Sequence, residues 1–145
     1  MNKHDQEIPT HRLKTKEEHG AECDRLNASW AEFVALKELR KHHNKLIYLY
    51  LGWHRVKERQ WNDYTWHSPC DLKAFFESKL PNHFDDLNTV YTTWTLTIQG
   101  NSELEYRYMI ELLREVGAEK PDWSLANNAT AEQRTEALGR TLSIW

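Results

Sequence analysis

The sequence predicts a mainly α fold: a compact helical domain of four to six helices with at most a small β-hairpin around residues 53–67 and a short strand at 94–98. Three observations carry this. Apolar residues recur at three- and four-residue steps over long stretches, as along Leu26, Trp30 and Phe33. Residues able to cap a helix, Thr15, Ser68, Asn82, Ser102 and Thr130, stand just ahead of those stretches. Helix-stopping residues, Gly52, Pro81 and Gly117, follow three of them.

Residues 1–14 show no periodicity and contain Pro9, which predicts a flexible amino-terminal arm. Thr15 caps a helix whose Glu17 and Glu18 suit the positive end of the helix dipole. Leu26, Trp30, Phe33, Val34 and Leu36 then mark a long amphipathic helix. One domain over 15–145 is expected, within which 15–45 reads as a helical arm that can stand semi-independently. The run Leu46 to Leu51 fits either a buried strand or the last turns of that helix, and Gly52 favours the helix as a left-handed cap with Trp53 folding back. Residues 54–67 lose the helical period, and Trp61, Tyr64 and Trp66 around Asn62-Asp63 suggest an aromatic hairpin or loop.

Ser68-Pro69-Cys70-Asp71 has the cap, first-turn proline and acid of a helix start, predicting a short helix to about Lys79. Asn82 is expected to cap the next helix, with Asp85 and Asp86 in its first turn and Phe84, Leu87, Tyr91 and Trp94 as its stripe. Trp94 to Ile98 alternates with period two, hence the strand expected there. Ser102 with Glu105, and Thr130 with Gln133, form capping boxes. The first leads a helix with Leu104, Met109, Leu112, Leu113 and Val116 inward, the second a terminal helix with Leu138, Leu142 and Trp145 on one side. Ala118 to Ala129 between them reads as a loop.

A chain of 145 residues can bury ~70% of its unfolded surface in one core. Mean hydropathy is low, -0.83, but seven Trp, six Tyr and four Phe supply an apolar payload a disordered chain lacks. No apolar run is long enough to span a membrane and Met1 to Lys16 has no apolar signal core, so a cytoplasmic protein is expected. Cys23 and Cys70 share no framework spacing and are expected as free thiols.

Charge is unevenly divided. Residues 1–60 hold 12 Lys/Arg against 9 Asp/Glu, net +3, and residues 61–145 hold 7 against 13, net -6. Lys41, Lys45, Arg55, Lys57 and Arg59, interleaved with Tyr48, Tyr50 and Trp53, have the composition of a nucleic-acid surface; the plainer reading is a solvated basic face with inward aromatics. The acids Glu103, Glu105, Glu111, Glu115, Glu119 and Asp122 fit a basic groove on another protein, or simply a solvated helix face.

Chemistry-bearing constellations are incomplete. His67 and Cys70 have the spacing of a zinc pair, which His42, His43, His54 or His83 would have to complete, and the set His67, Cys70 and His83 is the alternative for a zinc- or thiol-dependent enzyme. Neighbouring Asp85 and Asp86 point to different parts of a helix surface, and five scattered glycines make no phosphate loop. No catalytic residue, metal or cofactor is assigned. Trp61, Tyr64 and Trp66 are the expected aromatic anchors of a partner interface, with Glu103, Glu105, Glu111 and Glu115 as a second contact surface.

Leu80-Pro81-Asn82-His83-Phe84-Asp85-Asp86-Leu87-Asn88 and the stretch from Asn128 to Trp145 resemble a family of small uncharacterised accessory proteins of tailed bacteriophages and prophages. Leu49-Tyr50-Leu51-Gly52-Trp53 is similar to a segment near the start of such proteins, so the resemblance covers about 46–56 and 80–145. It implies phage origin and action in the host bacterial cytoplasm, and brings no catalytic residues. The long leading helix and an expanded Trp61 to Lys79 depart from the pattern. The expectation is a non-enzymatic protein that binds and inhibits or redirects a bacterial host protein, such as a component of antiviral defence.

Overall fold

Thr15 starts the first helix as expected: its hydroxyl accepts the Glu18 amide at 3.2 Å and the Glu18 carboxylate accepts the Thr15 amide at 3.0 Å. The computed structural model describes residues 13–58, 60 and 63–145, and the expected arm therefore lies largely outside the described residues. Helix α1 runs Lys16–Tyr50, followed by β1 (His54–Lys57), β2 (Tyr64–His67), β3 (Ala74–Phe76), α2 (Leu87–Thr97), α3 (Ser102–Glu115), α4 (Trp123–Asn127) and α5 (Ala131–Thr141). The fold is mainly α with a small antiparallel sheet, as the periodicity predicts. No described helix is long and apolar enough to cross a membrane.

The chain divides into two compact units between Lys37 and Glu38. In the first, none of the described residues is buried. Leu26, Trp30, Phe33, Val34 and Leu36, the expected apolar face, are all exposed, and the Trp30 and Phe33 rings lie 5.6 Å apart.

The second unit begins with the last turns of α1, where Asn44, Ile47 and Tyr48 are buried. Gly52 ends the helix at φ +83°, a conformation costly for any residue with a β-carbon. It lets the Trp53 amide reach back to the Tyr48 carbonyl at 3.0 Å and the Trp53 ring meet Tyr48 edge-on at 5.1 Å.

The sheet has the order β1-β2-β3, with Trp66 opposite Arg55 on one side and Phe75 on the other. Strand β3 replaces the helix predicted from Pro69 to Lys79. Ser68 to Lys73 instead closes a turn: the Ser68 amide donates to the Lys73 carbonyl at 3.0 Å, and Asp71 accepts the Lys73 amide at 3.0 Å. Asp71 thus acts as a turn residue, and Phe75 gains a stacked contact with Trp53 at 6.1 Å.

A 3-10 turn over Glu77–Lys79 leads to α2. The cap of α2 is Asp86, which accepts the Asn88 amide at 3.0 Å; Asn82 instead closes the preceding turn by accepting the Phe84 amide at 3.1 Å. The strand expected at 94–98 is the last part of this helix. Its period-two alternation comes from Thr95 and Thr97, and the helix accommodates such threonines: Thr97, like Thr92 one turn earlier, donates to the carbonyl four residues back, at 2.7 and 2.9 Å. Val90, Trp94 and Ile98 then fall on one face toward the core.

Asn101, not Ser102, caps α3, accepting the Leu104 amide at 3.2 Å, while Glu105 accepts from Gly100 at 2.9 Å. The expected loop 118–129 contains α4, capped by Asp122. The Thr130–Gln133 box opens α5 as predicted. The core joins Ile47 of α1 to Val90, Ile98, Tyr108, Leu112, Ala126, Ala129, Ala137 and Leu138. Among the elements, α3 and α5 make the most extensive contact.

Candidate functional site

Leu87 to Ser102 is sixteen residues without a charge, in a chain where 28% of residues are charged. Within this run α2 turns Val90 and Thr93 inward and leaves Leu87 and Tyr91 52% and 64% exposed. Trp94 lies between the two faces, stacked on Tyr91 at 6.0 Å and tilted against Tyr108 of α3 at 6.2 Å. Met109 and Leu112 of α3, then Ala126 to Ala129 at the end of α4, complete a groove of about 690 Å³.

Arg134 of α5 builds the polar wall. Its Nε donates to the Ala129 carbonyl at 3.1 Å, and its Nη2 donates to the carbonyls of Ala126 and Asn127 at 3.1 and 3.0 Å. These carbonyls lie at and just beyond the end of α4, so the guanidinium ties α5 to the groove's rim. Burial pushes the Tyr108 phenol above its usual range, with Arg134 opposing. Amide side chains at Asn88, Asn127 and Asn128 supply hydrogen-bonding capacity without charge. The surface is concave and aromatic-lined, with three amide side chains and the Arg134 guanidinium as its polar groups, a lining of the kind that receives apolar groups.

A buried polar node anchors α2. His83 is 1% exposed; its amide donates to Asn44 Oδ1 at 3.0 Å, and its ring meets Asn44 Oδ1 through Nδ1 at 2.6 Å and Thr93 Oγ1 through Nε2 at 2.7 Å. Because Asn44 Oδ1 can only accept, Nδ1 carries the proton and Nε2 accepts from the Thr93 hydroxyl. Thr135 of α5 donates to the His83 carbonyl at 2.7 Å, and Asn44 Nδ2 and Tyr48 OH both donate to the Pro81 carbonyl, at 3.2 and 2.8 Å. Burial lowers the His83 pKa to about 4, with Asp86 opposing weakly. His83 thus ties α1 and α2 together through its neutral ring and α5 through its backbone carbonyl.

The residues singled out by sequence are differently employed. Trp61 and Arg59 lie outside the described residues. Trp66, expected as an exposed anchor, is 0% exposed and its indole reaches Glu77 at 3.4 Å; an aromatic facing inward from a central strand is core. Tyr64 lies under the Arg55 guanidinium at 3.5 Å. Of the expected basic surface, Arg55 forms a two-pronged pair with Glu77 at 3.0 and 2.9 Å, and Lys45 joins the same carboxylate at 3.0 Å. Burial pushes Glu77 up, but hydrogen bonds and charge from Arg55 and Lys45 outweigh it and hold the carboxyl below its ordinary range. Lys41 pairs with Glu38 at 2.8 Å, and Lys57 is exposed on β1.

Among the expected acids, Glu103 is exposed, Glu105 accepts the Gly100 amide at 2.9 Å ahead of α3, Glu111 pairs with Arg114 at 3.1 Å and Glu115 pairs with Arg140. The zinc or thiol set is not assembled: among the described residues no three His, Cys, Asp or Glu side chains come together as metal ligands. His67 meets Thr65 Oγ1 at 3.1 Å, Cys70 is exposed, and both His83 nitrogens are occupied in the interior.

Sequence reasoning treated Leu87, Tyr91 and Trp94 as one inward stripe and so missed the groove. The available signal was the uncharged run, since a surface helix normally carries charge on its outer face. Comparison with protein-family models, with curated proteins and with solved structures returned no match.

Proposed function

We propose that the protein is a non-catalytic phage accessory protein that binds a host bacterial protein in the host cytoplasm, taking uncharged apolar side chains of that partner into the groove between α2, α3 and α4. The observation that carries this reading is the aromatic-lined groove itself, whose one charged lining residue, Arg134, is engaged with backbone carbonyls, with Tyr91 and Leu87 more than half exposed at its edge. Aromatic enrichment and charge depletion are the compositional marks of an interface centre. The volume, about 690 Å³, suits a few large side chains of a protein segment. The resemblance of residues 80–145 to phage accessory proteins supports the origin, and antiviral defence is the host process the reading favours. The nucleic-acid alternative draws little support from Lys45 and Arg55, whose charges go to Glu77.

The test is capture from bacterial lysate on immobilised wild-type protein and on Tyr91→Arg, with a photo-crosslinking residue at Leu87 identifying what sits in the groove. The reading expects a reproducible host protein that crosslinks at position 87 and is lost with Tyr91→Arg. Capture that ignores Tyr91→Arg, or no reproducible partner, overturns it.

A further inference from the structure

The outer face of the sheet carries a histidine pair. Trp66 is fully buried and side chains alternate along a strand, so Thr65 and His67 of β2 lie on the face turned away from it. Val56 and His54 of β1 are their cross-strand partners, and Phe76 and Ala74 of β3 stand on the other side. This face is open: Val56 and Phe76 are 42% and 44% exposed, and His54 is exposed. His54 stands directly opposite His67, which sets their β-carbons about 4.5–5.5 Å apart. Ala74, the neighbour of His67 in β3, carries only a methyl and leaves the imidazole room to turn.

The His67 ring is held by a polar chain. Its Nε2 lies 3.1 Å from Thr65 Oγ1, and that hydroxyl reaches Glu58 Oε1 at 3.3 Å. A hydroxyl has one proton, and a carboxylate is the stronger claimant for it. Thr65 Oγ1 therefore accepts from His67 Nε2–H, and Nδ1 keeps its lone pair. Fixing one ring nitrogen as a donor, so that the other is free to ligate, is how an outer shell prepares a metal-binding histidine. His54 brings the second imidazole from across the strand pair.

We propose that His54 and His67 chelate a borderline divalent transition metal, Zn²⁺ for example, on the outer face of the sheet, with water filling the remaining positions. Metal–nitrogen bonds of about 2.0–2.1 Å to both rings fit the gap that the strand pairing sets between these side chains. Imidazole selects zinc, copper or nickel over magnesium and calcium, which take oxygen ligands. With only two protein ligands the ion exchanges readily, and the fold does not depend on it.

Calorimetric titration of the full chain with zinc chloride tests this, in a Cys23→Ser, Cys70→Ser background so that no thiol competes. Saturable uptake of one equivalent is expected, with none for magnesium chloride. His54→Ala and His67→Ala should each weaken uptake by at least about tenfold, and Thr65→Val by about tenfold through loss of the outer partner. His42→Ala, at an exposed histidine of α1, should leave it unchanged. Circular dichroism should be unaltered by His54→Ala, because that side chain is exposed. No saturable uptake of zinc, equal uptake of magnesium, uptake that survives His54→Ala or His67→Ala, or equal loss with His42→Ala overturns the proposal. Wild-type affinity in Thr65→Val overturns the assignment of Nδ1 as the ligating atom.

Discussion

Gly139 sits in the interior of α5, where replacing glycine by alanine ordinarily stabilises a helix by up to ~1 kcal/mol. Here the opposite is expected. A β-carbon at 139 would overlap the indole ring of Trp145, and the helix backbone holds that carbon's position. The ring must leave its site, where it stacks on His43 at 4.1 Å with 7° between planes, meets Phe84 at 6.4 Å, and donates from Nε1 to Glu136 at 3.2 Å. Full truncation of a buried Trp costs about 3–5 kcal/mol; Trp145 is half-buried, so a loss of roughly 2–3 kcal/mol is appropriate. Subtracting the helix-propensity gain leaves Gly139→Ala destabilising by about 1–2 kcal/mol. Urea denaturation followed by circular dichroism would show it as a midpoint lowered by about 0.5–1 M for a slope near 2 kcal/mol/M. The decisive comparison is the double-mutant cycle with Trp145→Ala. With the ring gone, Gly139→Ala should revert to the ordinary sign and stabilise by up to ~1 kcal/mol. If Gly139→Ala stabilises the wild-type protein, the account of the α5 terminus is wrong.

His83 sets an acid limit. The unfolded chain protonates this imidazole near its ordinary pKa of 6.5, whereas the folded protein resists to about pH 4, so the unfolded state binds more protons between those values. Stability contributed by neutral His83 is complete above pH 6.5 and lost progressively as pH falls toward 4, amounting to about 3 kcal/mol at 1.4 kcal/mol per unit. Urea midpoints across that window, with imidazole shifts followed by NMR, check it; a His83 titrating near 6.5 in the folded protein refutes it. Trp66→Ala should cost about 3–5 kcal/mol as a core truncation, measurable by thermal melting, and a change below 1 kcal/mol would return Trp66 to the surface. Tyr91→Ala, by contrast, should change stability by no more than about 0.5 kcal/mol while abolishing partner capture, so a large loss of stability would make Tyr91 core, not interface. Glu77→Gln removes the carboxylate shared by Lys45 and Arg55 and should lower the thermal midpoint, an effect that weakens in high salt; a salt-independent change would deny the pairing its role.

Much of the helical frame was legible because its signals are local. Thr15 with Glu18, Thr130 with Gln133, and Gly52 at the end of α1 act through neighbours within a few residues, so composition and spacing suffice to place them. The same local logic failed where two structures share one signature. Ser68-Pro69-Cys70-Asp71 serves equally as a helix start and as a turn, and the turn prevails because β3 pairs with β2 and brings Phe75 onto Trp53. The alternation of Trp94 to Ile98 is a strand pattern until the threonine hydroxyls find helical carbonyls and Val90, Trp94 and Ile98 find the core.

By itself the sequence determined the helical class, both ends of α1 and the start of α5. Which aromatic side chains are buried was decided only by tertiary structure. Trp66 and Tyr91 are chemically similar, yet one is sealed in the sheet's inner face and the other stands at a groove. The basic segment likewise changes meaning once Glu77 is brought to Lys45 and Arg55 from far along the chain. Burial and ion pairing are properties of contacts between distant residues, and periodicity along one segment reports only which face it would offer, not what arrives to cover it.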